Sequence, residues 1–222
     1  MTQTRESGSQ YALRVLQDKI VHLELEPGSW VSENELADSL ALSRTPVRAA
    51  IQELSTVRLI EIYPQKGSRI ARIDYSLVEE ARFMRLALER AVVELLCAST
   101  SQEALAQLEE SLKYQEIYLQ LEDNTAFFRA DNEFHHLLFI LANKETSYRM
   151  MNGLTAHFDR VRQMASRMET NRTRNLEDHR ALVQAIGQHN APMAMDIVTR
   201  HLTHYQVDEG ALRDKYPETY FA

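Results

Sequence analysis

The sequence holds one cysteine, Cys97, so no intrachain disulfide can form, which fits a reducing compartment. Its neighbours Leu95, Leu96 and Ala98 make the thiol a core residue rather than a nucleophile. Apolar runs are short. None approaches the roughly 18 residues that a membrane span needs, and the opening MTQTRESGSQ lacks the apolar stretch of a signal peptide. A cytoplasmic protein with no membrane partner is therefore expected. Glycine is scarce, six in 222 residues, and only Gly153, Gly187 and Gly210 lie beyond residue 74. No nucleophile elbow, phosphate loop or HExxH is present. A general excess of positive charge is missing too: the net charge is −7, so the whole molecule is not a generic polyanion binder.

The charge is unevenly spread. Residues 1–73 carry nine Lys/Arg and nine Asp/Glu, so the acidity sits in the C-terminal two thirds. The same division appears in the hydrophobic pattern. Leu13, Leu16, Ile20 and Leu23 are spaced for an amphipathic helix that Pro27 and Gly28 close. Ser32 with Glu35 matches a capping box and starts a short helix. A tight turn at 41–43 leads to a third helix, with Ser43 as its cap and Pro46 in its first turn. In LIEIYPQKGSRIARI, isoleucines flank PQKGS, which reads as a β-hairpin. Helix, helix, turn, helix, hairpin is the order of a winged helix-turn-helix. After Ile73 the pattern is helical: helices are expected near 76–98, 101–121, 124–143, 145–170, 173–188 and 191–207. Asp74 or Ser76, Ser101, Thr125 and Asn190 are the expected caps, and the last residues are expected to pack loosely. The fold class is mainly α, with a winged helix-turn-helix at 1–73 and an all-helical bundle at 74–222.

The third helix opens as SRTPVR. Arg44 and Arg48 fall on adjacent turns of one face, with the short hydroxyls of Ser43 and Thr45 beside them. A helix that enters the major groove turns its N-terminal residues to the bases. Arginine paired bidentately with guanine is the commonest specific contact, worth about 1–3 kcal/mol. Two arginines alone read as solvated charges, with Glu35 and Glu53 nearby; the preceding helix and following hairpin turn the balance toward DNA. Lys66 and Arg69 flank the hairpin turn, placed to reach a neighbouring groove or the backbone.

LEPGSWVSENELADSLALSRTPVRAAIQELSTVRLIEIYPQKGSRIARI resembles the DNA-binding domain of GntR-family transcription regulators, through the PG, SENELA, SRTPVR and the wing glycine. The resemblance implies a recognition helix that carries Ser43, Arg44, Thr45, Pro46 and Arg48, and a wing tip at Gly67, with Lys66, near the minor groove. Asn34 stands where many members have a basic DNA contact, and an amide there can still bond a base or phosphate. Ala49–Ala50–Ile51 replaces the usual Glu-Ala-Leu.

In the bundle, four polar residues interrupt apolar stripes. Asp131 and His135 lie on the stripe of Phe127, Phe134 and Leu138. His179 lies with Leu176, Leu182 and Ile186, and His201 with Ala194, Ile197 and Val198. A carboxylate on an apolar face is costly unless paired or bound to a cation. Three inward histidines and an aspartate could surround one divalent ion of the Zn, Ni, Co, Fe or Mn type. On spacing alone a buried Asp–His pair with hydrogen-bonded core histidines serves equally well.

RLALERAVVELL, DNEFHHLLFILAN, EDHRALVQAI and VTRHLTH resemble the all-helical FCD ligand-binding domain found in one GntR branch. The resemblance implies a metal held by Asp131, His135, His179 and His201, zinc first among the divalent transition metals. It also implies a small organic acid as effector, with Arg85 a candidate clamp and Arg160 and Arg162 alternatives. A ligand-responsive regulator then follows, which binds a two-fold DNA operator as a homodimer, with an interface on an apolar face in 76–121. The competing readings are a metal-dependent hydrolase or lyase on the same site and a structural metalloprotein without effector. Glu133 and Glu177 could be called general bases for an enzyme, yet both are expected to point away from the stripes.

Overall fold

The computed structural model describes residues 6–152 and 154–222. Chain contacts divide it into two compact units: residues to Val78 together with Arg213–Ala222, and Glu79–Leu212. Residues 1–5 of the expected first domain lie outside the described residues. No helix among the described residues is long and apolar enough to cross a membrane.

The first unit is built as the local signals direct. Helix α1 (Gly8–Val21) starts on a capping box at Ser7 and buries Ala12, Leu16 and Ile20. Strand β1 (Trp30–Val31) follows the Pro27–Gly28 turn, where Gly28 has φ +81, a backbone angle that glycine takes without a Cβ clash. Ser32 and Glu35 cap α2 (Glu33–Leu40) reciprocally, as the sequence predicts. Ala41, in the left-handed region at φ 53, turns the chain into α3 (Arg44–Thr56). Val47, Ala50, Ile51 and Leu54 of α3 face α1, and all are buried. Removing Val47, Ile51 and Leu54 from water contributes about 1.5–3 kcal/mol each, which makes this stripe the core of the unit. The hairpin is β2 (Ile60–Tyr63) and β3 (Gly67–Ile70), antiparallel with Ile60 opposite Ile70. β1 adds antiparallel to the far edge of β3, giving the order β1-β3-β2.

The second unit is helical throughout its described residues. Helix α4 (Tyr75–Ala98) leads from the first unit into α5 (Gln102–Gln120), α6 (Asn124–Leu141), α7 (Glu145–Asn152), α8 (Ala156–Ser166), α9 (Glu169–Gly187) and α10 (Ala191–His201). Helix α11 (His204–Lys215) carries the chain back to the first unit. Within the bundle α5 packs on α6 and α9, α9 on α10, and α6 on α8. Phe127, Phe134, Leu138, Val161, Met164, Leu182, Ile186 and Val198 form the apolar interior.

Four expectations are corrected here. The helix expected at 145–170 is two, α7 and α8, and α9 begins at Glu169. Thr155 marks the break, donating from Oγ1 to the Asn152 carbonyl and to Asp159. The helix expected at 191–207 ends at His201 and restarts at His204, although no proline or glycine punctuates the chain there. The cap of α6 is Asp123, whose side chain accepts from Ala126 N, rather than Thr125. Ser101 and Asn190 cap as expected. Finally, the tail is not loose: Phe221 is 5% exposed and forms a parallel bridge with Ile73.

Candidate functional site

The first unit presents one polar surface at the start of α3. Arg44, Thr45 and Arg48 are exposed, as are Ser43 before them and Asn34 on α2; Pro46 is half-buried. Ser43 is the N-cap residue, yet its side chain makes no capping hydrogen bond, so the first-turn N–H groups of α3 are left for another acceptor. Lys66 and Gly67 are exposed at the hairpin turn, and Gly67 takes φ +101. Arg69 stands apart from them: it is half-buried and paired with Glu61 at 2.6 Å.

The two arginines are not loose. Arg48 donates to both carboxylate oxygens of Glu33, Nε to Oε1 at 2.9 Å and Nη2 to Oε2 at 2.7 Å. Arg44 Nη2 reaches the same Oε2 at 3.2 Å. Arg48, foremost, holds the Glu33 carboxyl below its ordinary range. Sequence reasoning looked to Glu35 and Glu53 as neighbours and missed Glu33. Glu35 is instead spent on the capping box. The pairing depends on how α2 lies on α3, which spacing along one helix does not reveal.

In the second unit α6, α9 and α10 bring the four polar residues of the apolar stripes together. Asp131, His135, His179 and His201 are all buried, and one ligand atom from each lies within 4.8 Å of the others. The three Nε2 atoms converge: His179 to His201 is 3.2 Å, and His201 to His135 is 3.3 Å. Asp131 Oδ1 lies 3.8 Å from His179 Nε2 and accepts no hydrogen bond among the described residues.

The far side of each ring explains this convergence. His135 Nδ1 donates to Glu89 Oε2 at 2.8 Å, and His179 Nδ1 donates to Gln115 Oε1 at 2.8 Å. His201 Nδ1 is 3.5 Å from Asp178 Oδ2. An acceptor on Nδ1 puts the proton there and turns the Nε2 lone pair inward. Burial, then the charge of Arg85, pushes His135 well below its usual pKa; burial and His201 bring His179 down to about 3. Burial alone would raise Asp131, but Arg162 and the imidazoles hold it below the carboxylate range. Two lone pairs fixed in this way, on His135 and His179, therefore face the His201 Nε2 and a carboxylate oxygen, an arrangement that favours a cation. With metal–nitrogen bonds of about 2.0–2.1 Å, ligand nitrogens stand about 3.0 Å apart at right angles and about 3.4 Å apart in a tetrahedron. The observed 3.2 and 3.3 Å fall between these values.

A buried ion-pair chain starts and ends at this cluster. Glu89 pairs with Arg85 at 2.6 Å, Arg85 with Asp159 at 3.3 Å, Asp159 with Arg162 at 2.7 Å, and Arg162 with Asp131. Arg85 is 3% exposed and lies between two carboxylates. Arg162 lines a cavity of about 30 Å³, together with Phe158, Asn171, Arg174, Asn175 and His201. Room for about one water is what that volume allows. The acceptors Glu89, Gln115 and Asp178 were not legible in the sequence: a polar residue on a helix reads as solvated until its partner ring is known. Glu133 and Glu177, the general bases an enzyme would need, do not enter the cluster.

Comparison with known proteins agrees with both halves. The profile described as "Bacterial regulatory proteins, gntR family" matches residues 10–70, and that of the FCD domain matches 80–204. The chain is 31% identical over 194 residues to the HTH-type transcriptional repressor RspR of Escherichia coli (strain K12), covering 87% of this chain and 85% of that one. It is 30% identical over 206 residues to an HTH-type transcriptional regulator in an unstable DNA locus of Streptomyces ambofaciens, with 92% and 86% covered. The solved structure of E. coli McbR/YncC superposes with a TM-score of 0.79 over 95% of this chain and 99% of that one, at 18% identity, a likeness of fold.

Proposed function

This chain belongs to the gntR family of bacterial regulatory proteins and carries an FCD domain, and we propose that it is a metal-dependent, acid-responsive transcription regulator that binds a two-fold operator as a homodimer. Its relatives are transcription regulators rather than enzymes. The observation that carries the metal reading is the meeting of three inward Nε2 atoms with the unpaired Oδ1 of Asp131. Asp131, His135, His179 and His201 would hold a divalent transition metal, zinc first; nickel, manganese, iron and cobalt suit the same donors. The bound metal would supply a Lewis-acidic position for an effector oxygen.

An organic acid suits the cavity beside it. Arg162 and Arg174 offer guanidinium donors, and Asn171 and Asn175 offer amides. Since the cavity holds about one water as it stands, a larger acid must spread α8, α9 and α10, and that movement is the start of a response. Arg85 acts behind this surface, as a support for Glu89 and Asp159.

The DNA end uses Ser43, Arg44, Thr45, Pro46 and Arg48 in the major groove, Asn34 at its edge, and Lys66 and Gly67 at the wing. Two-fold operators call for a symmetric dimer. Helix α4 leaves Phe83 (64% exposed), Ala87, Ala91 and Leu95 on its outer surface, an unpartnered apolar stripe suited to a second copy. The protein would act in the cytoplasm, where its DNA is.

The test is elemental analysis of the purified chain and of His179→Ala, joined to anisotropy titrations on a duplex selected from a random library, with and without short mono- and dicarboxylic acids. One metal per wild-type chain, its loss in His179→Ala and an acid-dependent change in duplex affinity are expected. Full metal content in the variant would remove the metal site, and indifference to every acid would remove the effector.

A further inference from the structure

Residues 213–222 take no part in the metal cluster or the arginine surface of α3, yet they are built into the winged unit. Ile73 N–H donates to the Tyr220 carbonyl at 2.7 Å, and Ala222 N–H donates to the Ile73 carbonyl at 3.0 Å. Between these bonds Phe221 is buried, its ring stacked against Tyr75 with centroids 6.2 Å apart and planes 13° apart. The Arg213 guanidinium lies over both rings, 5.0 Å from Tyr75 and 4.8 Å from Phe221. On the other side the segment crosses Gly28, where an added Cβ would stand 3.1 Å from the Thr219 carbonyl oxygen. The tail is therefore held at the end of the wing and at the turn before β1. Two backbone bonds, a ring stack and a shared cation make this a made site, not a chain end lying on a surface.

We propose that residues 213–222 are an intramolecular clasp that keeps the winged unit competent for DNA and ties it to the metal site. The chain passes between the two units twice, after Val78 and before Arg213. Both passages end at Ile73–Tyr75: one continues from there as α4, the other returns there as the tail. The returning passage is α11, which directly follows the helix that carries His201. A shift of α10 on metal or effector binding thus reaches the wing by a covalent route that does not run through α4. The clasp itself stands without the metal reading; its signalling role rests on it.

The test uses the full chain beside a Phe221→Ala variant and one ending at Pro217. Hydrogen exchange reads the Ile73 amide, whose acceptor is in the tail. Exchange at Ile73 should rise about tenfold or more in both variants, and affinity for the selected duplex should fall about tenfold, with bound zinc unchanged. Unchanged Ile73 protection together with unchanged duplex affinity overturns the clasp. Stripping zinc with a chelator should alter duplex affinity in the wild type and leave both variants indifferent. Variants that still respond to zinc as the wild type does overturn the signalling role, whereas a wild type that ignores zinc counts against the metal-dependent regulator itself and leaves the clasp to be judged on exchange and affinity.

Discussion

Glu33→Gln separates the two effects that Glu33 has on the arginines of α3. The carboxylate occupies Arg48 at 2.9 and 2.7 Å and Arg44 at 3.2 Å, so both guanidinium groups must leave it, or share it, to meet a phosphate or a base. Both pairs are largely solvated, with Arg48 55% and Arg44 61% exposed. Exposed pairs are weak and screened by salt, the bidentate one being the stronger, and releasing both should be worth roughly tenfold in affinity. A random duplex should accordingly bind Glu33→Gln about tenfold tighter at about 50 mM salt, and the gain should shrink near 200 mM as screening grows. The selected operator should gain less, because the same carboxylate holds the Arg48 fork in a fixed direction and its loss costs orientation. The ratio of operator to random affinity therefore falls. Anisotropy titrations on both duplexes measure it. Glu35→Gln is the control: it changes the net charge identically, but its side chain serves the Ser32 cap, which an amide also satisfies. Equal behaviour of the two variants, or no change for Glu33→Gln on either duplex, would refute the pairing as a gate.

Arg48→Ala should weaken operator binding by about 1–3 kcal/mol and random binding by less, with unchanged thermal unfolding because the side chain is exposed; equal losses on both duplexes would reduce Arg48 to a phosphate contact. Gln115→Leu removes the acceptor on His179 Nδ1 and should lower zinc affinity about 10- to 100-fold, measured by competition with a chromogenic chelator; wild-type affinity would show that Gln115 does not orient the ring. Phe83→Asp puts a charge on the exposed stripe of α4 and should shift sedimentation velocity from dimer toward monomer, whereas an unchanged profile places the dimer contact elsewhere.

The parts of this molecule that sequence alone made legible are those written in local signals. Ser32 and Glu35, Pro27 and Gly28, and Gly67 each set a cap or turn within a few residues, and the winged unit follows from them. The four candidate ligands were legible for a different reason: a charged or polar residue on an apolar stripe demands an explanation wherever it sits. What stayed hidden needed a partner from another element. Glu33 matters because α2 lies against α3, and Glu89, Gln115 and Asp178 matter because each meets a ring 23 to 64 positions away. The tail looked loose because its aromatics are scattered in sequence, and they become a site only when Ile73 and Tyr75 receive them.

Under the proposed function, the buried charges bear on the kind of effector the bundle would take. Glu89, Arg85, Asp159, Arg162 and Asp131 alternate in sign along a chain of ion pairs that begins and ends in a carboxylate. Five alternating charges of this kind leave one negative charge in excess. Both chain ends touch the histidine cluster, Glu89 through His135 Nδ1 and Asp131 through its open oxygen. Buried excess charge is strongly unfavourable, and the inward lone pairs of His135 and His179 add to it. A divalent cation at the cluster reverses the excess to one positive charge, still in a dry setting. The next ligand that such a site favours is an anion of one charge, which brings the whole assembly to neutrality. A carboxylate meets that condition, has the shape of the Arg162 fork, and can reach the cluster past His201. On this balance the metal-free bundle should discriminate poorly between an acid and its amide, and the zinc-loaded bundle should prefer the acid.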